Sequence, residues 1–341
     1  MVKGKTTDYA HSVTRVRALE TGLLDKAKIE RMAEARDATE AIKILSETAY
    51  GAQVSRVGSA FEYETILRDE IAAVRQLFWK ISPHPKLTDL FFLKYDVLNL
   101  KILIKGKYLE QEVGDILVTS GTIAPEKMTA MVAEGKFKEL PSEIAQAAEE
   151  AQVALEETAD PQLVDTILDK AHYAYLSRFL SEQEQGFLLD FVALQADLTN
   201  IKSFVRVRHV AEGDGLRTRE LLRKVFIPGG KLELDSFLTQ LDEPLTAFAD
   251  RFSRDPWGYV VADGVAAWEK EGSLTTYEKL ADNFLLSYMK KTRLIAFGPE
   301  PLVAYFWAKE NEVKLIRIVM VGKINGLPAD DIKERLRDVY A

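Results

Sequence analysis

The chain contains no cysteine. That absence excludes a disulfide framework, a thiolate metal site and a cysteine nucleophile, and it fits a cytoplasmic protein. Histidine is scarce: His11, His84, His172 and His209 are scattered, no pair has the i, i+4 spacing of a helical metal site, and no HExxH frame occurs. Each is expected to be a surface or capping histidine. Long apolar runs are missing as well. The best, "LIRIVMVG", is short and contains Arg317, whereas a spanning helix needs about 20 apolar residues. The opening "MVKGKTTDYAHSVTRVRALE" has no apolar core and does not read as a secretory signal. Association with a membrane is therefore expected only through a larger complex. Positive charge is not in excess: 45 Lys and Arg face 53 Asp and Glu, for a net charge of -8. Nucleic acid is excluded as a general partner, because binding its phosphates requires a dominant basic surface. An acidic body suits basic protein surfaces instead.

With 341 residues, 47% of them hydrophobic, the chain can form two or three domains or one elongated body of repeated units. Almost every long segment has helical period, and alternating strand-like patterns are short and rare. Asp37 with Glu40 three residues on reads as a capping box. Asp160 before Pro161, and Pro301 in "GPEPLVAYFWAKENEVKLI", mark two further helix starts where a missing amide proton does little harm. The expected fold class is all-α, with about 15 to 20 helices.

A polar signature recurs inside these helices. "KYDVLNLKILIKGKYL" and "QADLTNIKSFVRVRHV" place Asp96, Asn99 and Lys101 at the same spacing as Asp197, Asn200 and Lys202, 101 residues later. Six positions after each asparagine stands a basic triplet, Lys105-Gly106-Lys107 or Arg206-Val207-Arg208. Beyond it a glycine precedes apolar residues spaced by five and four: Gly121 with Ile123, Met128 and Val132, and Gly230 with Leu232, Phe237 and Leu241. A compressed copy opens the chain, from Tyr9 through Arg15-Val16-Arg17 to Gly22, Leu24, Ile29 and Ala33. A degraded one closes it, from Asn311 through Lys314 and Arg317 to Gly326, Leu327, Ile332 and Leu336. Such internal periodicity points to repeated supersecondary units. It divides the chain into three intervals, 1–95, 96–196 and 197–341, the last including the partial C-terminal copy.

At about 100° per residue, Asp96 and Asn99 share one face of their helix with Leu103, while Lys101 and Lys105 sit nearly opposite. Apolar residues fill both flanks, so this helix is expected to pack on two sides. The plain reading of Asp96, Asn99, Asp197 and Asn200 is that of buried partners for the backbone of neighbouring segments, since an unpaired buried polar group is costly. The alternative makes them contacts to another protein. Arg15, Arg17, Lys105, Lys107, Arg206 and Arg208 are candidate partner-interface residues. Two positions apart on a helix, the members of each pair point about 200° from one another, so only one can join a given surface.

No reactive constellation emerges. "IPGGKLELD" lacks the spacing of a phosphate loop, and because Gly121 occupies the position of Gly230 in another repeat, a shared turn accounts for it better. The acids of "AAEEAQVALEETAD" recur at helical spacing among alanines and read as a solvated face. No nucleophile with a base and its orienter is present, so no catalytic, cofactor-binding or metal-binding residue is assigned. Two classes of function remain: a helical scaffold or adaptor that holds a partner, and a helical enzyme whose site lies in scattered carboxylates. The lack of convergent chemistry favours the scaffold.

The segments "YAHSVTRVRALETGLLDKAKIERMAEARDATEAIKILSETAYG", "DVLNLK", "DLTNIK", "FIPGGKL" and "AKENEVKLIRIVMVGKINGLPADDIKERL" together resemble the C subunits of the archaeal and bacterial A/V-type rotary ATPases, counterparts of the d subunit of the eukaryotic vacuolar proton pump. The resemblance spans about Tyr9 to Tyr340, with Thr14 in place of the alanine usual before Arg15. It implies a funnel of three similar helical domains in pseudo-threefold arrangement, without catalysis, cofactor or nucleotide binding. The implied partners are the D and F subunits of the central shaft and the proteolipid ring of c/K subunits. The implied place is the cytoplasmic side of the membrane, where such a protein turns with the rotor and transmits torque coupled to proton or sodium transport. A helical adaptor outside any rotary machine is the alternative.

Overall fold

A computed structural model describes residues 6–211 and 214–341. Among them every regular element is a helix and none is a strand, so the protein is all-α, as its periodicity predicts.

The helices fall into two compact bodies. The chain up to Phe91 belongs to the second body and contributes α1 (Ala10–Glu20), α2 (Lys26–Glu34), α3 (Ala38–Ser46), α4 (Gly51–Val54), α5 (Tyr63–Ile81) and α6 (Pro85–Asp89). The first body, Phe92–Tyr277, holds α7 (Leu93–Tyr108), α8 (Pro125–Glu134), α9 (Ser142–Thr158), α10 (Pro161–Glu182) and α11 (Gly186–Val210). It continues with α12 (Gly215–Val225), α13 (Leu234–Leu238), α14 (Leu245–Asp250) and α15 (Gly258–Glu271). From α16 (Thr275–Lys290) the chain enters the second body again, through α17 (Glu300–Ile324) and α18 (Ala329–Arg335). The N- and C-terminal segments thus share one core, with α17 packed against α1, α2, α3 and α5.

Local sequence sets several helix starts. Asp160 accepts a hydrogen bond from the Gln162 amide at 2.9 Å, with Pro161 at the first helical position of α10. Asp37 caps α3 by accepting from the Glu40 amide at 2.9 Å, but Glu40 turns to the Arg36 amide at 2.7 Å instead of completing the box on Asp37. The Arg36 guanidinium, 3.0 Å from the same carboxylate, draws it one residue further back.

The long helices α7, α11 and α17 are not simple surface amphipaths. Buried positions on α7 include Asp96, Val97, Asn99, Leu100, Leu103 and Ile104, which spread over more than one flank. On α17 the buried set runs nearly without a break from Pro301 to Phe306 and on to Met320. Helices apolar on most sides must be enclosed by others. α7 packs with α8, α9 and α10 around a core that includes Leu100, Leu103, Met128, Ile144, Ala148, Leu155, Val164 and Leu168.

Candidate functional site

The recurring Asp and Asn form joints between a long helix and the turn that follows it. On α7, Asp96 accepts from the Thr122 amide at 2.8 Å, the Thr122 hydroxyl at 2.6 Å and the Ile123 amide at 3.0 Å. On α11, Asp197 accepts from the Lys231 amide at 3.1 Å and the Leu232 amide at 3.0 Å. Asn99 donates to the Val118 carbonyl and accepts from the Val118 amide, both at 2.8 Å; Asn200 makes the same pair of bonds to Ile227, both at 2.8 Å. Each asparagine therefore replaces a missing backbone partner for one residue of an otherwise unladdered segment. All four side chains are buried, as the plain reading of the sequence expects.

The repeated glycine has a steric cause. A Cβ on Gly121 would lie 2.2 Å from Asp96 Oδ1, and one on Gly230 would lie 2.1 Å from Asp197 Oδ1. Only a residue without a side chain lets the turn come close enough for its amides to reach the carboxylate. The "PGGK" turn does cradle an anion through backbone amides, and the anion is the chain's own Asp197. Burial pushes the Asp197 carboxyl up from its ordinary value, against the opposing pull of the Leu232 and Lys231 amides.

A third joint lies on α17 in altered form. Asn311 donates to the Asp338 carbonyl at 2.8 Å, but the position matching Asp96 and Asp197 is Ala308. The carboxylate has moved four residues along the same helical face, to Glu312. Glu312 accepts from the Leu24 amide, the counterpart in the N-terminal copy of the Ile123 and Leu232 amides. The turn of the opening copy is thus held by the closing helix.

Glu312 belongs to a buried charge cluster. Lys309, 2% exposed, places its ammonium 2.9 Å from both Glu70 and Glu312. The Tyr50 hydroxyl donates to Glu312 at 2.7 Å, Gln53 donates to Glu70 at 2.7 Å, and the Tyr50 ring lies 4.6 Å under the Lys309 ammonium. Burial opposes the charge on Lys309, yet attraction to Glu312 and Glu70 outweighs it and holds the ammonium's pKa above its ordinary value. Desolvation, with the Glu312 and Glu70 charges, keeps the Tyr50 hydroxyl protonated far above its usual range.

The six basic candidates separate into two groups. Arg17 is 2.8 Å from Glu20 and donates to the Thr292 and Ile295 carbonyls; Lys105 pairs with Asp165 at 2.7 Å; Lys107 donates to the Val132 carbonyl at 3.0 Å, near the end of α8. Arg208 is half-buried over the Phe204 ring at 5.4 Å and lines an open cavity of about 430 Å³ with Thr218 and Trp268. Desolvation lowers its pKa. Arg15 and Arg206 are exposed and make no side-chain bond among the described residues. Within each of these two triplets the first residue faces solvent and the second packs inward, as their angular separation requires.

Two features depart from what the sequence suggests. His172 is buried rather than superficial, with its pKa lowered to about 3 by desolvation and by the Lys94 and Lys101 charges. A signal for it exists: Val164, Leu168, His172, Leu176 and Leu180 recur every four residues on α10, and all five are buried. Lys309 with Glu312, three apart within an apolar helix, is the second. The acids Glu149, Glu150, Glu156 and Glu157 of α9 are exposed, as a solvated face should be. No group of three or more potential metal ligands gathers among the described residues.

Buried polar joints repeated along α7, α11 and α17 give the protein a helical scaffold of related units among the described residues. The sequence places that scaffold: the profile of the ATP synthase (C/AC39) subunit family matches residues 12–335, and the chain belongs to that family. It is 25% identical to the C subunit of the V-type sodium ATPase of Enterococcus hirae, over 95% of this chain and 97% of the relative. It is 28% identical to the C subunit of the A-type ATP synthase of Methanocaldococcus jannaschii, covering 96% and 86%, and to that of Thermococcus onnurineus, covering 98% and 91%. No helix among the described residues is long and apolar enough to cross a membrane.

Proposed function

We propose that this chain is the non-catalytic central-stalk component of a rotary V/A-type ATPase or ATP synthase. In this role it receives the foot of the shaft, the D and F subunits, on one surface. With another it docks on the proteolipid ring at the cytoplasmic side of the membrane, passing torque between ion flow and the nucleotide-binding head. It binds no nucleotide itself. Three helical repeats, about 1–95, 96–196 and 197–341 in pseudo-threefold arrangement, form the socket.

The observation that carries this reading is the set of joints on α7, α11 and α17, in a chain of this family. Each binds a long helix to a turn, its own or that of the opening copy, through buried carboxylate or carboxamide bonds. A torque-bearing part needs stiffness, and close-packed interiors with satisfied polar joints resist deformation. Arg15 and Arg206, exposed and unspent, are the strongest docking cations of the six. Arg17, Lys105 and Lys107 are already engaged within the chain, and Arg208 is half-buried over Phe204.

Pull-down from solubilised membranes tests the reading. Capture of a coiled-coil shaft protein together with a small proteolipid is expected, and recovery of neither would overturn it. Arg15→Glu with Arg206→Glu should reduce capture while leaving the circular dichroism unchanged. Undiminished capture would remove both from the interface.

A further inference from the structure

The segment 291–299, between α16 and α17, bears the most exposed of the large apolar side chains among the described residues. Leu294 is 93% exposed and Phe297 is 49% exposed. Such side chains on a slack loop could fold back onto the protein. Here the backbone is held: Arg17 donates to the carbonyls of Thr292 and Ile295, the latter at 3.3 Å, and is itself fixed on Glu20 at 2.8 Å. The Thr292 hydroxyl donates to the Met289 carbonyl at 2.8 Å, and the Ile295 amide donates to the Thr292 carbonyl at 2.8 Å. Arg293 lies 4.8 Å over the ring of buried Tyr340 and donates to its carbonyl. At Gly298, with φ of +113°, the chain turns toward α17. The brace keeps Leu294 and Phe297 in solvent, available to a binding partner.

Charge selects the partner. From Asn283 to Pro299 the sequence has three cations, Lys290, Lys291 and Arg293, and no carboxylate, in a chain whose net charge is -8. Of the acids acting on this region from elsewhere, Glu20 is spent on Arg17, Asp338 acts on Lys290, and Glu300, the residue after Pro299, packs its carboxylate against Gly298, where burial raises its pKa and weakens its charge. Protruding apolar tips flanked by cations suit the boundary between lipid headgroups and acyl chains, where apolar insertion and attraction to anionic lipid act together. A protein hot spot differs, setting an aromatic or arginine anchor within a packed, water-excluding rim.

We propose that segment 291–299 docks on an anionic lipid surface. Leu294 and Phe297 enter the headgroup boundary, and Lys290 and Lys291 face the lipid phosphates, while Arg293 stays on Tyr340 as part of the brace. This goes beyond the torque role, because it is a property of the chain alone and requires neither shaft nor ring. With two apolar contacts, the attachment is weak and reversible, an auxiliary contact beside those within the complex.

The full chain carrying Leu294→Trp, mixed with vesicles of phosphatidylcholine and phosphatidylglycerol in equal parts, should show a blue shift and rise of tryptophan emission absent from the unsubstituted chain. Vesicles of phosphatidylcholine alone should leave the emission unchanged. In flotation with the mixed vesicles, Lys291→Ala should lower partitioning about fivefold, the worth of one cation near an anionic surface. Leu294→Ser with Phe297→Ser should abolish it, with circular dichroism unchanged. An emission that anionic vesicles do not move, equal binding to phosphatidylcholine alone, or a double serine variant that floats like the parent chain would each overturn the proposal. If vesicles never bind while the double serine variant drops out of the solubilised complex, the loop docks on a protein, and the proposal also fails. In neither case is the shaft-and-ring reading touched, since the parent chain's own capture of those partners decides that separately.

Discussion

The turns after α7 and α11 and the turn before α2 are held in two ways. In the body Phe92–Tyr277, one aspartate per joint accepts backbone amides directly, with a glycine admitting the close approach. In the body that unites the chain ends, the carboxylate is a glutamate one helical turn further on, and it shares its charge with a buried lysine and a second glutamate. The longer side chain reaches the Leu24 amide from Glu312. Lys309 lies between Glu312 and Glu70 and offsets part of their joint charge. The first solution depends on two or three hydrogen bonds and on shape; the second depends on one cation shared by two carboxylates in a dry place, where losing the lysine leaves both uncompensated.

Removing the lysine should break that contrast most strongly. Lys309→Met leaves Glu70 and Glu312 buried without a cation, and about 3–5 kcal/mol of stability should be lost in urea unfolding. A loss near zero would mean the cluster is wet and weakly coupled. Next come the glycines. Gly121→Ala and Gly230→Ala should each cost about 1–3 kcal/mol, since the added methyl displaces the joint carboxylate. The two values should agree, and a large disparity would end the equivalence of the two joints.

Per pH unit, a smaller effect is expected from acid sensitivity in the Phe92–Tyr277 body. His172 has a folded pKa of about 3 against an ordinary 6.5, so below 6.5 the unfolded chain binds a proton that the folded one refuses. Stability therefore falls as pH drops from 6.5 towards 3, by at most about 1.4 kcal/mol per pH unit. His172→Leu should flatten that part of the profile, and an unchanged slope would show that other groups set it. The smallest effect belongs to Lys105→Ala. Its partner Asp165 is 44% exposed, and such pairs are worth about 0–1 kcal/mol.

Much of the first body is legible in the sequence. Asp96 with Asn99 and Asp197 with Asn200 share their spacing, and Gly121 and Gly230 recur where a turn needs them, because each joint links a helix to the segment that follows it. The second body is less legible. Leu24 and Glu312 are bonded across 288 positions, and Ala308 in place of the expected aspartate hides the relation. The basic triplets are visible as charge. Their division into Arg15 and Arg206 facing solvent and Arg17 and Lys107 holding backbone carbonyls follows from which segments lie beside them. Weighed by residue type alone, His172 reads as superficial; weighed as one position in a four-residue apolar stripe, it reads as core.

By itself the sequence determined the helical class and the repeated grammar, since helical period, capping and turn glycines are encoded within a few residues of where they act. Tertiary structure alone decided that the chain ends form one body, that Glu312 serves the turn of the opening copy, and that Arg17 braces the loop presenting Leu294. Those pairings join residues hundreds of positions apart, and desolvation and charge compensation act on whatever folding brings together, whatever the distance along the chain.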